Sequence, residues 1–91
     1  MNKYENISDI LKSLAHPARL QIVIGLIKNE CNVNEIKEKL GLPQSTISQH
    51  LKILKNSKII KGRREGTNVC YEVINKYVID IIKIVNKTVN K

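Results

Sequence analysis

The residues PQSTISQHLKILK, Pro43 to Lys55, place Ile47, Leu51 and Leu54 at the i, i+4 and i+7 positions of a helix. Gln44, Ser45, Ser48, Gln49, Lys52 and Lys55 fall on the opposite side, so one face packs while the other is free to reach outward. The free face carries amides and hydroxyls near its start and lysines near its end. Such a set suits base edges first and phosphates next. An ordinary surface helix also has a polar outer face, so the flanking sequence decides between the two readings.

Upstream, Asn34 is a good N-cap and Glu35 suits a first turn, so NEIKEKL reads as a short helix that stops at Gly41, a residue able to take the left-handed C-terminal conformation. Leu42 and Pro43 then turn the chain into the helix spanning 44–55. A short helix, a tight turn and a second helix with a polar outer face form a helix-turn-helix. Downstream, Ile59 to Arg64 is extended in character, Glu65-Gly66-Thr67-Asn68 supplies a turn, and Val69, Tyr71 and Val73 alternate with Cys70 and Glu72. That is a β-hairpin by composition and by period. A hairpin directly after a helix-turn-helix is a wing, here residues 60–73, and Arg63 and Arg64 stand close to its tip.

Further out, Tyr4, Ile7, Leu11 and Leu14, with Ile10 beside them, keep a helical period from Tyr4 to Ala15. Pro17 suits the first position of a new helix and makes His16 its N-cap or junction residue. That helix runs to about Lys28 with Leu20, Val23, Ile24 and Ile27 inward, and Gly25 marks a close crossing. Asn29 and Glu30 close it, and Cys31, Asn32 and Val33 read as a very short strand. Asn75 caps a last helix whose Val78, Ile81, Ile82, Val85 and Val89 form a long apolar stripe flanked by Ile79 and Ile84. The expected fold is mainly α with a hairpin wing, a winged helix-turn-helix in the order α-α-β-α-α-β-β-α, with residues 1–91 as one DNA-binding domain.

Composition narrows the partner. Sixteen Lys and Arg against eight Asp and Glu give a formal net charge of +8 in 91 residues, and such a chain attracts polyanions. Lys52, Lys55, Lys58, Lys61, Arg63 and Arg64 form a run with no acid before Glu65. Nucleic acid is the leading partner, ahead of an anionic membrane surface. With no Trp or Phe, the core must come from Ile, Leu and Val. No stretch reads as a membrane span or an export signal. Two cysteines are too few for a disulfide scaffold and fit a reducing cytoplasm. The stripe on the last helix is more apolar surface than so small a domain can cover, which points to a symmetric partner.

The segments LKSLAHPARLQIV, VNEIKEKLGLPQSTISQHLKILKNSKII and GRREGTNVCYEV, in that order, resemble the arsenic-repressor (ArsR, also ArsR/SmtB) family of bacterial winged-helix regulators over roughly Ile10 to Val85. The resemblance implies a homodimeric repressor of transcription that leaves an inverted-repeat operator in double-stranded DNA when an inducer binds. Gln44, Ser45, Ser48 and Gln49 would then contact bases in the major groove. Thr46, Lys52, Lys55, Arg63 and Arg64 would hold the backbone, with the wing on flanking backbone or minor groove. Ile7, Leu11, Val78, Ile81, Ile82, Val85 and Val89 would form the dimer interface.

The inducer sites of that family are not matched. Many metal-sensing members carry ELCVCDL, where this chain reads ECNVNEI from Glu30 to Ile36, with Asn32 and Asn34 at both cysteine positions. The last helix offers Asp80 but no His, so no metal and no cofactor is expected. Members that sense through a cysteine pair use the second helix and the C-terminus; here Ile24 stands in the first place and the last helix has no Cys. Cys31 and Cys70 remain as a possible thiol sensor, but strand parity puts Cys31 inward with Val33 and Cys70 outward, against a bond between them. His16 reads as a capping or packing residue and His50 as the edge of the packed face; Arg19 reads as a phosphate-side or salt-bridge residue. No nucleophile motif, phosphate loop or carboxylate cluster suggests an enzyme. Two alternatives to the plain repressor stand: a winged-helix protein-interaction module, and a thiol-redox-responsive repressor using Cys31, Cys70 or both.

Overall fold

The computed structural model describes residues 2–89 and contains α1 (Lys3–Leu14), α2 (Pro17–Lys28), α3 (Val33–Leu40), α4 (Gln44–Asn56), β1 (Ile60–Glu65), β2 (Asn68–Val73) and α5 (Lys76–Val89). Local chemistry sets most of these boundaries. Asn2 Oδ1 accepts from the Glu5 N–H at 2.9 Å to start α1, and His16 Nδ1 accepts from the Ala18 N–H at 3.0 Å to start α2 behind Pro17. Asn75 Oδ1 accepts from the N–H groups of Tyr77 and Val78 at the head of α5. Gly41, at φ 63°, ends α3 in the left-handed conformation.

The α4 C-terminus is unusual. The Ile59 N–H donates to the Leu54 carbonyl and the Lys58 N–H to the Lys55 carbonyl, both at 3.0 Å, which is a Schellman ending with Lys58 in its left-handed position at φ 59°. Ile59 and Leu54, the pair this motif brings together, are both fully buried.

Ile22, Val23 and Leu26 of α2, Ile47 and Leu54 of α4, Ile59, and Val78 and Ile82 of α5 meet in one core, each at most 1% exposed. Burying each such side chain contributes about 1.5–3 kcal/mol. At Gly25, an added Cβ would lie 2.6 Å from Ile36 Cδ1, so the Ile36 side chain of α3 packs directly on this glycine and would have to move to admit a side chain there. The strands pair antiparallel from Ile60 with Val73 to Glu65 with Asn68, leaving Gly66 and Thr67 as the turn, and Gly66 at φ 62° supplies the positive φ that a tight hairpin needs. Among the described residues, no single helix is long and apolar enough to cross a membrane.

The winged helix-turn-helix is present, with several corrections to the reading of the residues. Cys31 to Val33 is no strand: Cys31 lies in a turn, and α3 begins at Val33 behind Asn32, two residues before the expected cap at Asn34. Asn29 makes the turn, its Oδ1 accepting from the Cys31 N–H at 2.9 Å. On α2 the covered positions are Ala18, Ile22, Val23 and Leu26, and Ile27 is 39% exposed. Val78 and Ile82 lie wholly in the chain's own core and present no side chain to a partner. Ile7 and Leu11 of α1 with Tyr77 and Ile84 of α5 stay outside, around a cleft of about 300 Å³ that Ile81 also lines, while Val85 is half-buried and Val89 is exposed at the end of α5.

Candidate nucleic-acid interface

The outer face of α4 is what its periodicity predicts. Gln44, Ser45, Ser48, Gln49, Lys52 and Lys55 are all exposed, Thr46 is half-covered, and Ile47, Leu51 and Leu54 are buried beneath them. Gln44 Nε2 donates to Ser48 Oγ at 3.2 Å, one helical turn on, which orders the amide over the first turn. The free face therefore begins with groups that both donate and accept and ends with cations.

A polar network under α4 fixes its angle on the body. His50, 8% exposed, points inward from α4, where Arg19 Nη1 of α2 bonds its Nδ1 at 3.2 Å. Arg19 Nε also donates to the Ser13 carbonyl at the end of α1 at 2.6 Å, and the Ser13 hydroxyl meets that of Ser57 just past α4. The His16 ring lies 4.6 Å from that of His50. Burial first, then the neighbouring His16 and Arg19, push the His50 pKa below that of a free histidine, so it stays neutral and can accept from the guanidinium. Arg19 thus ties α1, α2 and α4 together through hydrogen bonds, and among the described residues it forms no salt bridge.

The wing carries Lys61, Arg63 and Arg64 on β1, all exposed. Arg64 stands across from Val69 and, among the described residues, its side chain forms no hydrogen bond or ion pair, but Arg63 is engaged: its Nε donates to Glu65 Oε1 at 2.8 Å and its Nη1 bonds Glu30 at the end of α2. The two carboxylates, Glu65 first, raise its already high pKa. The basic run is therefore not wholly uncompensated, as it reads in the sequence; Glu30, far off in the chain, neutralises one member of it. Between α4 and the wing lies a groove of about 440 Å³, which Gln44, Ser48, Lys55, Asn68 and Tyr71 line together with Lys37 of α3. Lys37 and Glu30 are the residues that sequence reasoning missed here. Lys37 could have been found from its place beside Ile36 on the outer edge of the short α3.

Cys31 and Cys70 form a disulfide. Their exposures are the reverse of the expected ones, with Cys31 exposed and Cys70 fully buried. Parity failed because it presupposed a strand through Cys31. In the turn that replaces it, the Cys31 side chain is free of strand alternation and swings toward β2, which the Tyr71 N–H holds against the Glu30 carbonyl at 2.7 Å. Among the described residues, no three His, Cys, Asp or Glu side chains gather where they could hold one metal ion.

Comparison with known proteins agrees with this geometry. Residues 16–61 match the family model of bacterial regulatory proteins of the arsR family. The transcriptional repressor PagR of Bacillus anthracis is 43% identical over 83 residues, which cover 90% of this chain and 83% of PagR. The structure of HlyU from Vibrio cholerae superposes with a TM-score of 0.88 at 32% identity, covering the whole of both chains. A homodimeric winged helix-turn-helix DNA-binding domain from Mycobacterium bovis superposes with a TM-score of 0.80 at 29% identity, covering 96% of this chain and 81% of that one.

Proposed function

Since the chain belongs to the arsR family of bacterial regulatory proteins, we propose that it is a homodimeric repressor of transcription, acting in the cytoplasm by binding DNA and not by catalysing a reaction. The observation that carries this reading is the free polar face of α4, which shares one groove with Lys37 of α3 and with Asn68 and Tyr71 of the wing, while Lys61 and Arg64 stand exposed on β1. Gln44, Ser45, Ser48 and Gln49 read base edges in the major groove, while Thr46, Lys52, Lys55 and Arg64 hold phosphates. Arg63 joins them only by exchanging its carboxylate partners for phosphate. PagR, described as a transcriptional repressor, and the homodimeric M. bovis domain, described as DNA-binding, support the reading.

The exposed face of Ile7, Leu11, Tyr77 and Ile84 pairs with its copy in a second chain. An isologous contact there covers the apolar cleft and sets two α4 helices on one side of the duplex. The operator is then an inverted repeat with half-sites about one helical turn, roughly 34–36 Å, apart. A genome-wide footprint of the bound chain, with sedimentation of the parent and of Ile84→Asp, tests this. Inverted repeats under the footprint and a dimer lost in the variant are expected. A parent that is monomeric at micromolar concentration, or a footprint without two-fold symmetry, refutes it.

A further inference from the structure

The wing is joined to the turn between α2 and α3 at three adjacent points. Cys31 is bonded to Cys70, the Tyr71 N–H donates to the Glu30 carbonyl, and Arg63, the cross-strand neighbour of Cys70, pairs with Glu30. The non-covalent members are weak: the ion pair is about 40% exposed on both sides and lies in the range where such pairs contribute little. Ile60 and Val73 seat the base of the hairpin in the core, so the covalent bond decides how firmly the outer part of the wing is held. Its two sulfurs sit in different surroundings. Cys31 is exposed and lines the groove between α4 and the wing, whereas Cys70 is fully buried in the middle of β2.

We propose that Cys31–Cys70 is a thiol–disulfide exchange site that locks and releases the wing, with Cys31 as the sulfur a small thiol or disulfide reaches and Cys70 as the resolving sulfur. In the locking direction, the Cys31 thiolate attacks one sulfur of a low-molecular-weight disulfide RSSR, forming Cys31–S–S–R and releasing RS⁻. Cys70 gives its proton to solvent and attacks Cys31 Sγ. The Cys31–Cys70 bond forms and the second RS⁻ leaves, so two protein thiols are oxidised and RSSR is reduced to two thiols. In the releasing direction, a thiolate RS⁻ entering by the groove attacks Cys31 Sγ and displaces the Cys70 thiolate, which takes a proton from solvent; a second RS⁻ then attacks the outer sulfur of Cys31–S–S–R, forming RSSR and freeing the Cys31 thiolate. Access fixes this order, because nothing from solvent reaches the buried Cys70 first.

The consequence for DNA rests on the repressor reading above. A locked wing presents Arg64 in a fixed place, while a released wing must be ordered on the duplex, so the oxidised form is the tighter binder. In a cytosolic protein, where a lasting structural disulfide is uncommon, a bond of this kind serves as a signal.

The full-length chain is compared in glutathione buffers poised oxidised and reduced, by hydrogen exchange, intact mass and affinity for duplex DNA. On reduction, amides of residues 60–73 exchange about tenfold faster through local opening, while those of α2 and α4 speed up only as far as the global loss of stability requires. Cys70→Ala accumulates one glutathione on Cys31, and Cys31→Ser accumulates none. Affinity for DNA falls about three- to tenfold on reduction, and Cys31→Ser, altered only at an exposed position, behaves as the reduced parent under both poises. Equal wing exchange in the two states, glutathione on Cys70 in place of Cys31, or equal DNA affinity with a loosened wing each overturns the proposal. Failure of the oxidised protein to bind any duplex counts instead against the repressor reading, and exchange and mass still decide the thiol chemistry.

Discussion

The recognition helix and the wing face the same groove but are held in place by different means. α4 is seated by apolar side chains spaced along its own length, Ile47, Leu51 and Leu54, each packed into the common core. Ile60 and Val73 seat the base of the wing in the core, but beyond Ile60 β1 is exposed throughout, and the outer wing is located by pairs distant in sequence, Cys31 with Cys70 across 39 residues and Glu30 with Arg63 across 33. Local packing resists a change of redox state. A covalent tether does not. The difference separates a reader of fixed geometry from an arm whose placement can be altered without unfolding the protein.

Truncating the seat of α4 gives the largest expected effect. Leu54→Ala empties a fully buried site under α4 and costs about 2–5 kcal/mol, read from the midpoint shift in urea denaturation. A loss as small as that of an exposed side chain would mean that α4 is not held from below. Reducing the disulfide removes a link that closes a segment of 39 residues and costs about 2–4 kcal/mol of global stability, measured by the same titration with and without reductant. A cost confined to the wing, with no global shift, would sharpen the contrast further.

On the proposed function, the two regions also divide in what they do to DNA. Gln49→Ala relaxes discrimination by about 1–3 kcal/mol at one or two base pairs, whereas Arg64→Ala weakens operator and random duplex alike and flattens the salt dependence. Competition binding against both duplexes at several salt concentrations separates these outcomes, and equal losses on both for Gln49→Ala would erase the division.

A smaller effect comes from pH. The His50 pKa is held below 6.5, the value of a free histidine, by burial and by His16 and Arg19, so the unfolded chain takes up this proton first as pH falls. Stability is fully present above about pH 6.5 and declines as pH drops through the lowered folded pKa, where protonation also removes the Nδ1 acceptor from Arg19. His50→Asn, which keeps an acceptor but cannot titrate, should flatten that part of the stability curve; an unchanged slope would place the dependence elsewhere. Smallest of all, Lys58→Gly relieves a left-handed residue at φ 59° and raises stability by up to about 1 kcal/mol in thermal denaturation.

What was legible in the sequence follows the same line. The α4 stripe, the His16 and Asn75 caps, the Gly41 stop and the Gly25 crossing all depend on residues a few positions apart or on one residue's conformational freedom, and each stands in the structure. Phase failed where apolar residues are too many. In LQIVIGLI nearly every position could face inward, so Leu26 and Ile27 could not be told apart, and on α5 the core took Val78 and Ile82 while Tyr77 and Ile84 stayed outside. Parity failed at Cys31 for a different reason: it needs a strand, and the Asn29 side chain makes a turn instead. Glu30 read as the end of a helix because nothing local links it to a wing 33 residues away. The proposed base contacts rest on the exposed face of α4, which periodicity supplied in full.

The Cys31–Cys70 bond also makes residues 31–70 a closed covalent ring. Inside it lie α3, α4, β1 and the start of β2, the surface assigned to the nucleic acid; outside it lie α1 and α5, which carry the apolar face assigned to pairing. One cut at the hairpin tip, between Gly66 and Thr67, would open the ring without dividing the molecule. Its two fragments stay joined through sulfur until a reductant parts them, so a protease and a reductant must act together before α5 is severed from the helices that precede the wing.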